Sequence, residues 1–181
     1  MGRRTLISCG AVLVIAVVLT AAVLRAEADT SSLEGKAAPD FSLKTLAGDD
    51  FKLSALKGNV VVLDFWATWC PPCRASLPHL NKDSSDRSLA DKGLKVFAVN
   101  CNEPADKVKA FLEKNDLHFT VPLDSEGTTQ QAYLIQGIPT TIVVGRDGVI
   151  RNVFIGFGGE ESEKSLDAAI DTALKETVGG K

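Results

Sequence analysis

The chain has 181 residues, of which 45% are hydrophobic and 24% are charged, and its formal net charge is −3. A chain of this size buries about two-thirds of the surface of its unfolded form in one domain, so it needs no disulfide scaffold. Four cysteines are too few for such a scaffold, and the lack of a basic patch or lysine run argues against nucleic-acid binding.

The N-terminus predicts export from the cytosol. Arg3 and Arg4 precede the uncharged segment from Thr5 to Leu24. A helix of that length rises about 30 Å, enough to span a bilayer, and the preceding arginines place the rest of the chain outside. Two interpretations stay open, an uncleaved signal-anchor, which the length favours, and a secretory signal cleaved near Ala28. The predicted divisions are a signal or anchor at 1–28, a linker at 29–36 and one domain at 37–181.

The first part of the domain alternates between apolar and polar residues. Phe41 to Leu46 and Phe51 to Leu53 alternate on either side of a turn at 48–50, which predicts a β-hairpin. We expect Ser54 to cap one short helical turn that Gly58 ends.

Strands and helices then alternate along the chain. Val60 to Leu63 and Leu94 to Asn100 are apolar and β-branched runs, which predict strands covered on both faces. A helix is expected after Pro104, with Val108, Phe111 and Leu112 on its inward face, followed by an edge strand at 121–123. A Thr128–Gln131 capping box predicts the start of the next helix. The last expected elements are a hairpin of Thr140–Val144 and Val149–Phe154 and a helix from Glu160 to Leu174. This order predicts an α/β fold with a mixed sheet.

Residues 66–73, Trp-Ala-Thr-Trp-Cys-Pro-Pro-Cys, directly follow the run from Val60 to Phe65. Two cysteines spaced Cys-x-x-Cys at a helix start predict a dithiol redox centre, because the helix dipole and free backbone donors stabilise a thiolate on Cys70. We expect Cys70 to be the exposed nucleophile and Cys73 to resolve its mixed disulfide. Pro71 and Pro72 suit the first turn and remove two amides from the thiolate, which favours a weak oxidant.

Other interpretations of the cysteine pair stay open. One is a structural disulfide. A zinc site needs two more soft ligands, and His79, His118 and Cys101 are scattered along the sequence. We read both histidines as surface residues, and Cys101 as either an auxiliary thiol or a bystander.

The residues at 66–73, together with Gly137-Ile138-Pro139-Thr140, resemble the thioredoxin superfamily and more closely its membrane-tethered TlpA/ResA-like branch. The resemblance spans about residues 37–175. It implies a thioredoxin-like three-layer sandwich with a mixed central sheet, an N-terminal β-hairpin extension and one inserted βα unit. It also implies a cis bond before Pro139, opposite the cysteines, where Ile138 offers its backbone to a client segment.

Further site residues are implied by the same resemblance. We expect Trp69, Pro71 and Pro72 to form the rim that binds the client, and Trp66 to pack and shape that rim together with Trp69. Asp64 stands six positions before Cys70, where the family carries a buried acid that exchanges a proton with the second thiol through water. Burial in an apolar strand should raise its pKa, unless Asp64 is a strand-end residue turned to solvent.

The predicted function is an extracytoplasmic thiol–disulfide oxidoreductase that reduces client proteins and is itself re-reduced by a membrane dithiol donor. Cytochrome c maturation is a candidate role, although Ser76 and Thr140 replace glutamates that some relatives carry. We expect a monomer with no metal and no cofactor beyond the Cys70–Cys73 disulfide. The alternatives are a zinc or copper carrier of the same fold and a peroxiredoxin-like peroxidase, in which a threonine would replace Ala67.

Overall fold

The computed structural model describes residues 29–177. The predicted signal or anchor at residues 1–28 lies outside this range. Within 29–177, no helix has both the length and the apolar character needed to cross a membrane. The stretch predicted as a linker contains a 3-10 turn at Thr30–Leu33, and the Thr30 hydroxyl donates a hydrogen bond to the Leu134 carbonyl (2.8 Å). This stretch therefore packs against the domain instead of extending away from it.

Residues 29–177 contain seven strands and five helices, in an order close to the predicted one. They are β1 (Ser42–Lys44), β2 (Asp50–Lys52), β3 (Val60–Trp66), α1 (Pro71–Ser85), α2 (Arg87–Asp91), β4 (Leu94–Cys101), α3 (Ala105–Lys114), β5 (Leu123–Asp124), α4 (Thr128–Ala132), β6 (Thr140–Val144), β7 (Ile150–Ile155) and α5 (Glu160–Lys175). A second 3-10 turn covers Leu53–Leu56.

The central sheet is mixed, as predicted, with strand order β5-β4-β3-β6-β7. Strand β3 pairs in parallel with β4 and antiparallel with β6, so it lies in the middle of the sheet. The short strand β5 lies at one edge, and β1 and β2 form a separate antiparallel hairpin. These features confirm the thioredoxin-like fold class, with its hairpin extension and an inserted unit of α3 and β5.

The core has two halves, one on each face of the sheet, because side chains alternate along β3. Val62 and Trp66 pack with residues of α1, α3 and α5 on one face, together with Cys70 and Cys73. Leu63 and Phe65 pack on the other face with Tyr133 and the hairpin. The result is three layers, and the cysteines lie on the helical side.

Two predicted caps are wrong. The turn at Leu53–Leu56 has no side-chain cap; instead the Ser54 backbone N–H donates to the Asp40 carboxylate (2.9 Å). Helix α4 has no capping box, because its first free N–H groups, at Thr129 and Gln130, donate to the carboxylate of Asp124 (3.2 and 2.9 Å). In both places a carboxylate that folds back from a preceding segment replaces the hydroxyl cap.

Candidate redox site

Cys70 and Cys73 lie at the N-terminal end of α1 and are joined by a disulfide. Cys70 is the residue before the helix, and Pro71 and Pro72 occupy its first two positions, as the sequence predicts. Since proline has no N–H, the first amide free to meet the sulfur is that of Cys73, which donates to Cys70 Sγ at 3.2 Å. One hydrogen bond and the positive end of the helix dipole thus act on this sulfur.

The disulfide is more covered than the sequence suggests. We expected Cys70 to be exposed, but it is 2% exposed in this disulfide-bonded form, and Cys73 is fully buried. The loop before β6 covers it, since the Ile138 carbonyl oxygen lies 3.6 Å from Cys70 Sγ. The neighbouring Trp69 ring, at 63% exposure, is the accessible apolar surface beside the disulfide.

The loop opposite the cysteines contains the predicted cis peptide bond between Ile138 and Pro139. Two hydrogen bonds hold it, from the Thr140 hydroxyl to the Gly137 carbonyl and from the Gly156 amide to the Pro139 carbonyl, both at 2.8 Å. The Pro139 carbonyl is therefore occupied by Gly156, the residue that follows β7, whereas the carbonyl of Ile138 faces the sulfur. Half-buried Ile138 is thus in position to meet a chain that approaches Cys70.

Asp64 is fully buried in the middle of β3, which excludes the alternative of a strand end turned to solvent. Its side chain shares the helical face of the sheet with Val62 and Trp66, and hence with the cysteines. Thr141 on β6 donates its hydroxyl to Asp64 Oδ1 (2.7 Å), while Oδ2 has no hydrogen-bond partner among residues 29–177. Burial raises the pKa of Asp64 to about 7, against the smaller lowering effect of Thr141.

A second buried acid, Glu103, was missed by the sequence analysis. It accepts hydrogen bonds from the backbone N–H and hydroxyl of Thr68 (2.7 and 2.6 Å), from the Asn100 amide (3.0 Å) and from Lys107 (2.7 Å). Burial raises the pKa of Glu103, but these donors outweigh it and hold the pKa below its usual range. Glu103 thereby anchors the loop that leads from β3 to Cys70. The sequence signal that could have indicated Glu103 is its position just after β4, the buried strand that pairs with β3.

Several other residues lie apart from the disulfide. Trp66 is fully buried and donates its indole N–H to the Ala98 carbonyl (3.2 Å), so the expectation that it shapes the rim is wrong. Cys101 is a buried free thiol on the opposite face of the sheet, where burial raises its pKa to about 12. Its position favours the bystander interpretation. His118 is exposed as expected, whereas His79 is half-buried and surrounded by carboxylates.

Comparison with known proteins agrees with this geometry. The model of the AhpC/TSA family matches residues 35–153. The chain is 42% identical over 138 residues to thioredoxin-like protein YneN of Bacillus subtilis strain 168, covering 74% of this chain and 79% of that protein. It is 31% identical over 140 residues to thiol-disulfide oxidoreductase ResA of Geobacillus kaustophilus, covering 77% and 79%.

A solved structure has the same fold. The crystal structure of a thiol:disulfide interchange protein, a thioredoxin family protein from Chlorobium tepidum TLS, matches with a TM-score of 0.65 and 28% identity, covering 76% of this chain and 95% of that one. The disulfide at the start of α1 lies within the part of the chain that these matches share. The chain belongs to the AhpC/TSA family and is a thiol–disulfide oxidoreductase with a thioredoxin-like fold.

Proposed function

We propose that the protein reduces disulfides of client proteins outside the cytosol and that Cys70 is its nucleophile. The observation that carries this proposal is the position of Cys70 Sγ. It lies before the first residue of α1, 3.2 Å from the Cys73 amide and 3.6 Å from the Ile138 carbonyl. A thiolate is stabilised there by the helix end, and an extended client can pair with Ile138.

The reaction starts from the dithiol. The Cys70 thiolate attacks one sulfur of the client disulfide, forms a mixed disulfide and releases the first client thiolate. Cys73 loses its proton and attacks Cys70 Sγ, which closes the Cys70–Cys73 disulfide and releases the second client thiolate. Two electrons pass from the dithiol to the client. With only one amide directed at Cys70, the thiolate is modestly stabilised, which favours reduction of clients over their oxidation.

Asp64 is the proposed acceptor of the Cys73 proton, through water. Its carboxyl lies on the same face of the sheet as Cys73, and Oδ2 is not hydrogen-bonded to the protein. Because its pKa is raised to about 7, the carboxyl can both accept and return a proton near neutral pH. Trp69, Pro71 and Pro72 are the proposed rim for the client, since all three side chains are exposed beside the disulfide.

The location and partners follow from the segment that precedes the domain. The uncharged run at residues 5–24 is long enough to anchor the protein or to direct its export. On the outer face of the membrane the disulfide would be re-reduced by a membrane dithiol donor. Apocytochrome c, whose haem-site cysteines must be reduced, is one candidate client. We propose that the protein acts as a monomer.

The test is to trap clients in cells. Without Cys73 the mixed disulfide on Cys70 cannot be resolved, so Cys73→Ser should accumulate adducts that dithiothreitol releases. The matched control is Cys70→Ser, which should form none. Adducts that persist in Cys70→Ser, or none in Cys73→Ser, would contradict the assignment. A membrane-impermeant thiol reagent added to intact cells should label the reduced wild-type site, and protection from it would contradict the location.

A further inference from the structure

His79 lies between helices α1 and α5, where three carboxylates surround its ring. Its Nε2 atom is 2.9 Å from Asp167 Oδ1 and 3.5 Å from Asp83 Oδ2. Its Nδ1 atom is 3.8 Å from Glu163 Oε2. The ring is 10% exposed, so the expectation of a surface histidine is wrong, and the cluster is part of the contact between the two helices.

The spacing along each helix explains why these side chains meet. His79 and Asp83 are four residues apart on α1, and Glu163 and Asp167 are four residues apart on α5. Residues at this spacing lie on the same face of a helix, one turn apart. Because the two faces are packed together, one imidazole and three carboxylates from separate segments converge on one place.

Asp83 is the unusual member of this cluster. It is 7% exposed, and its Oδ2 atom, 3.5 Å from His79 Nε2, has no hydrogen-bond partner in the described part of the chain. Asp167 Oδ1 is the hydrogen-bond partner of His79 Nε2 at 2.9 Å, and Asp83 Oδ2 is the more distant of the two carboxylate oxygens. A buried carboxylate without a donor is costly, and a bound cation would satisfy it.

We propose that His79, Asp83 and Asp167 bind a divalent transition-metal cation, best matched by Zn²⁺. The three ligand atoms all lie within 4.8 Å of one another, so small side-chain movements bring each to the zinc distance of about 2.0–2.2 Å. One imidazole nitrogen and two carboxylate oxygens suit zinc rather than a soft ion. Glu163, facing the second ring nitrogen, orients the imidazole as outer carboxylates do in metal sites.

The site lies beside the redox centre without including its cysteines. A cavity of about 20 Å³, lined by His79 and Glu163, also touches Pro139 and Thr141, the residue that binds Asp64. This cavity therefore joins the outer side of the His79 ring to the loop that faces the disulfide. A cation here would tie α1, which starts directly after Cys70 and contains Cys73, to α5. The inference concerns a second site and does not depend on the direction of disulfide exchange.

The experiment uses the full-length protein in its oxidised form, because a closed disulfide cannot offer thiolates to the metal. Zn²⁺ is titrated by calorimetry at pH 7.5, and Co²⁺ is titrated by visible absorption. We expect one equivalent of each to bind, and Co²⁺ to show d–d bands without a thiolate charge-transfer band. The Cys70→Ser, Cys73→Ser double variant should bind both ions in the same way.

Variants separate this site from other binding. Asp167→Asn, at a half-exposed position, should weaken Zn²⁺ binding by on the order of 100-fold, and Glu163→Gln by about 10-fold. The matched control is Asp171→Asn, an exposed acid one turn further along α5, which should bind as the wild type does. The proposal is overturned by absence of Zn²⁺ binding to the oxidised wild type, by equal affinity in Asp167→Asn, or by a thiolate band with Co²⁺. None of these results would affect the proposed reductase function.

Discussion

Replacing Asp64 with asparagine tests the buried acid of the redox site. The asparagine side chain keeps an oxygen that can accept the hydrogen bond from Thr141 (2.7 Å in the wild type) but cannot ionise. The substitution therefore removes the charge and the proton acceptor while it preserves the shape of the side chain. Both the stability of the protein and the rate of its second chemical step should respond.

The magnitude follows from the pKa of Asp64, which burial raises from 3.8 to about 7. Between these pH values the folded protein holds a proton that the unfolded chain has lost. Stability is therefore greatest below the unfolded pKa and decreases as the pH rises through the folded one. At about 1.4 kcal/mol for each pH unit, the wild type loses on the order of 4 kcal/mol across this interval through Asp64 alone.

Asp64→Asn should lack this loss. We expect urea unfolding of the oxidised protein to show that the free energy of unfolding of the variant, relative to that of the wild type, increases by a few kcal/mol from pH 4 to pH 8. The other titrating groups are the same in both proteins, so their contributions cancel. The matched control, exposed Asp171→Asn, should follow the wild type. Parallel stability curves for Asp64→Asn and the wild type would refute the reasoning that the buried carboxyl is protonated near neutral pH.

The rate of mixed-disulfide resolution gives an independent readout of the same variant. If Asp64 accepts the Cys73 proton, its loss should slow resolution by about 100-fold, at the lower end of general-base effects. The wild-type rate should also rise through pH 7 as Asp64 ionises, and this inflection should disappear in the variant. Unchanged rates from pH 6 to pH 9 would remove Asp64 from the mechanism.

Three further predictions concern the surroundings of the disulfide. Glu103→Ala should lower the free energy of unfolding by about 1–3 kcal/mol for each buried donor left without an acceptor. A urea midpoint equal to that of the wild type would contradict the role of Glu103 as an anchor. Trp69 fluorescence should change when the adjacent disulfide is reduced; Trp69→Phe should abolish the change, and a signal retained in that variant would assign it to Trp66. Cys101 should resist alkylation in the folded protein, because its thiol is buried and its pKa is raised to about 12. Mass spectrometry that finds Cys101 alkylated as fast as reduced Cys70 would contradict this.

Each prediction that the structure contradicts concerns a residue whose contact partner lies in another segment of the chain. The Thr128–Gln131 pattern matches a capping box, but the helix begins one residue earlier, with Gly127 as its N-cap, and Asp124 accepts from the amides of Thr129 and Gln130. Trp66 and His79 looked like rim and surface residues because their own segments contain no sign of what packs over them. Glu103 was overlooked for the same reason, since its importance comes from Thr68, 35 positions away.

The sequence alone determined the order of strands and helices along the chain, the cysteine pair at a helix start and the acid within an apolar strand. These features depend on the spacing of residues along one segment, and the periodicity of strands and helices makes that spacing readable. Three contacts depend on how distant segments pack: the Ile138 carbonyl faces Cys70, Thr141 binds Asp64, and the carboxylates of two helices surround His79. Those contacts join segments far apart in sequence, so they exist only once the sheet and its helical layer have packed.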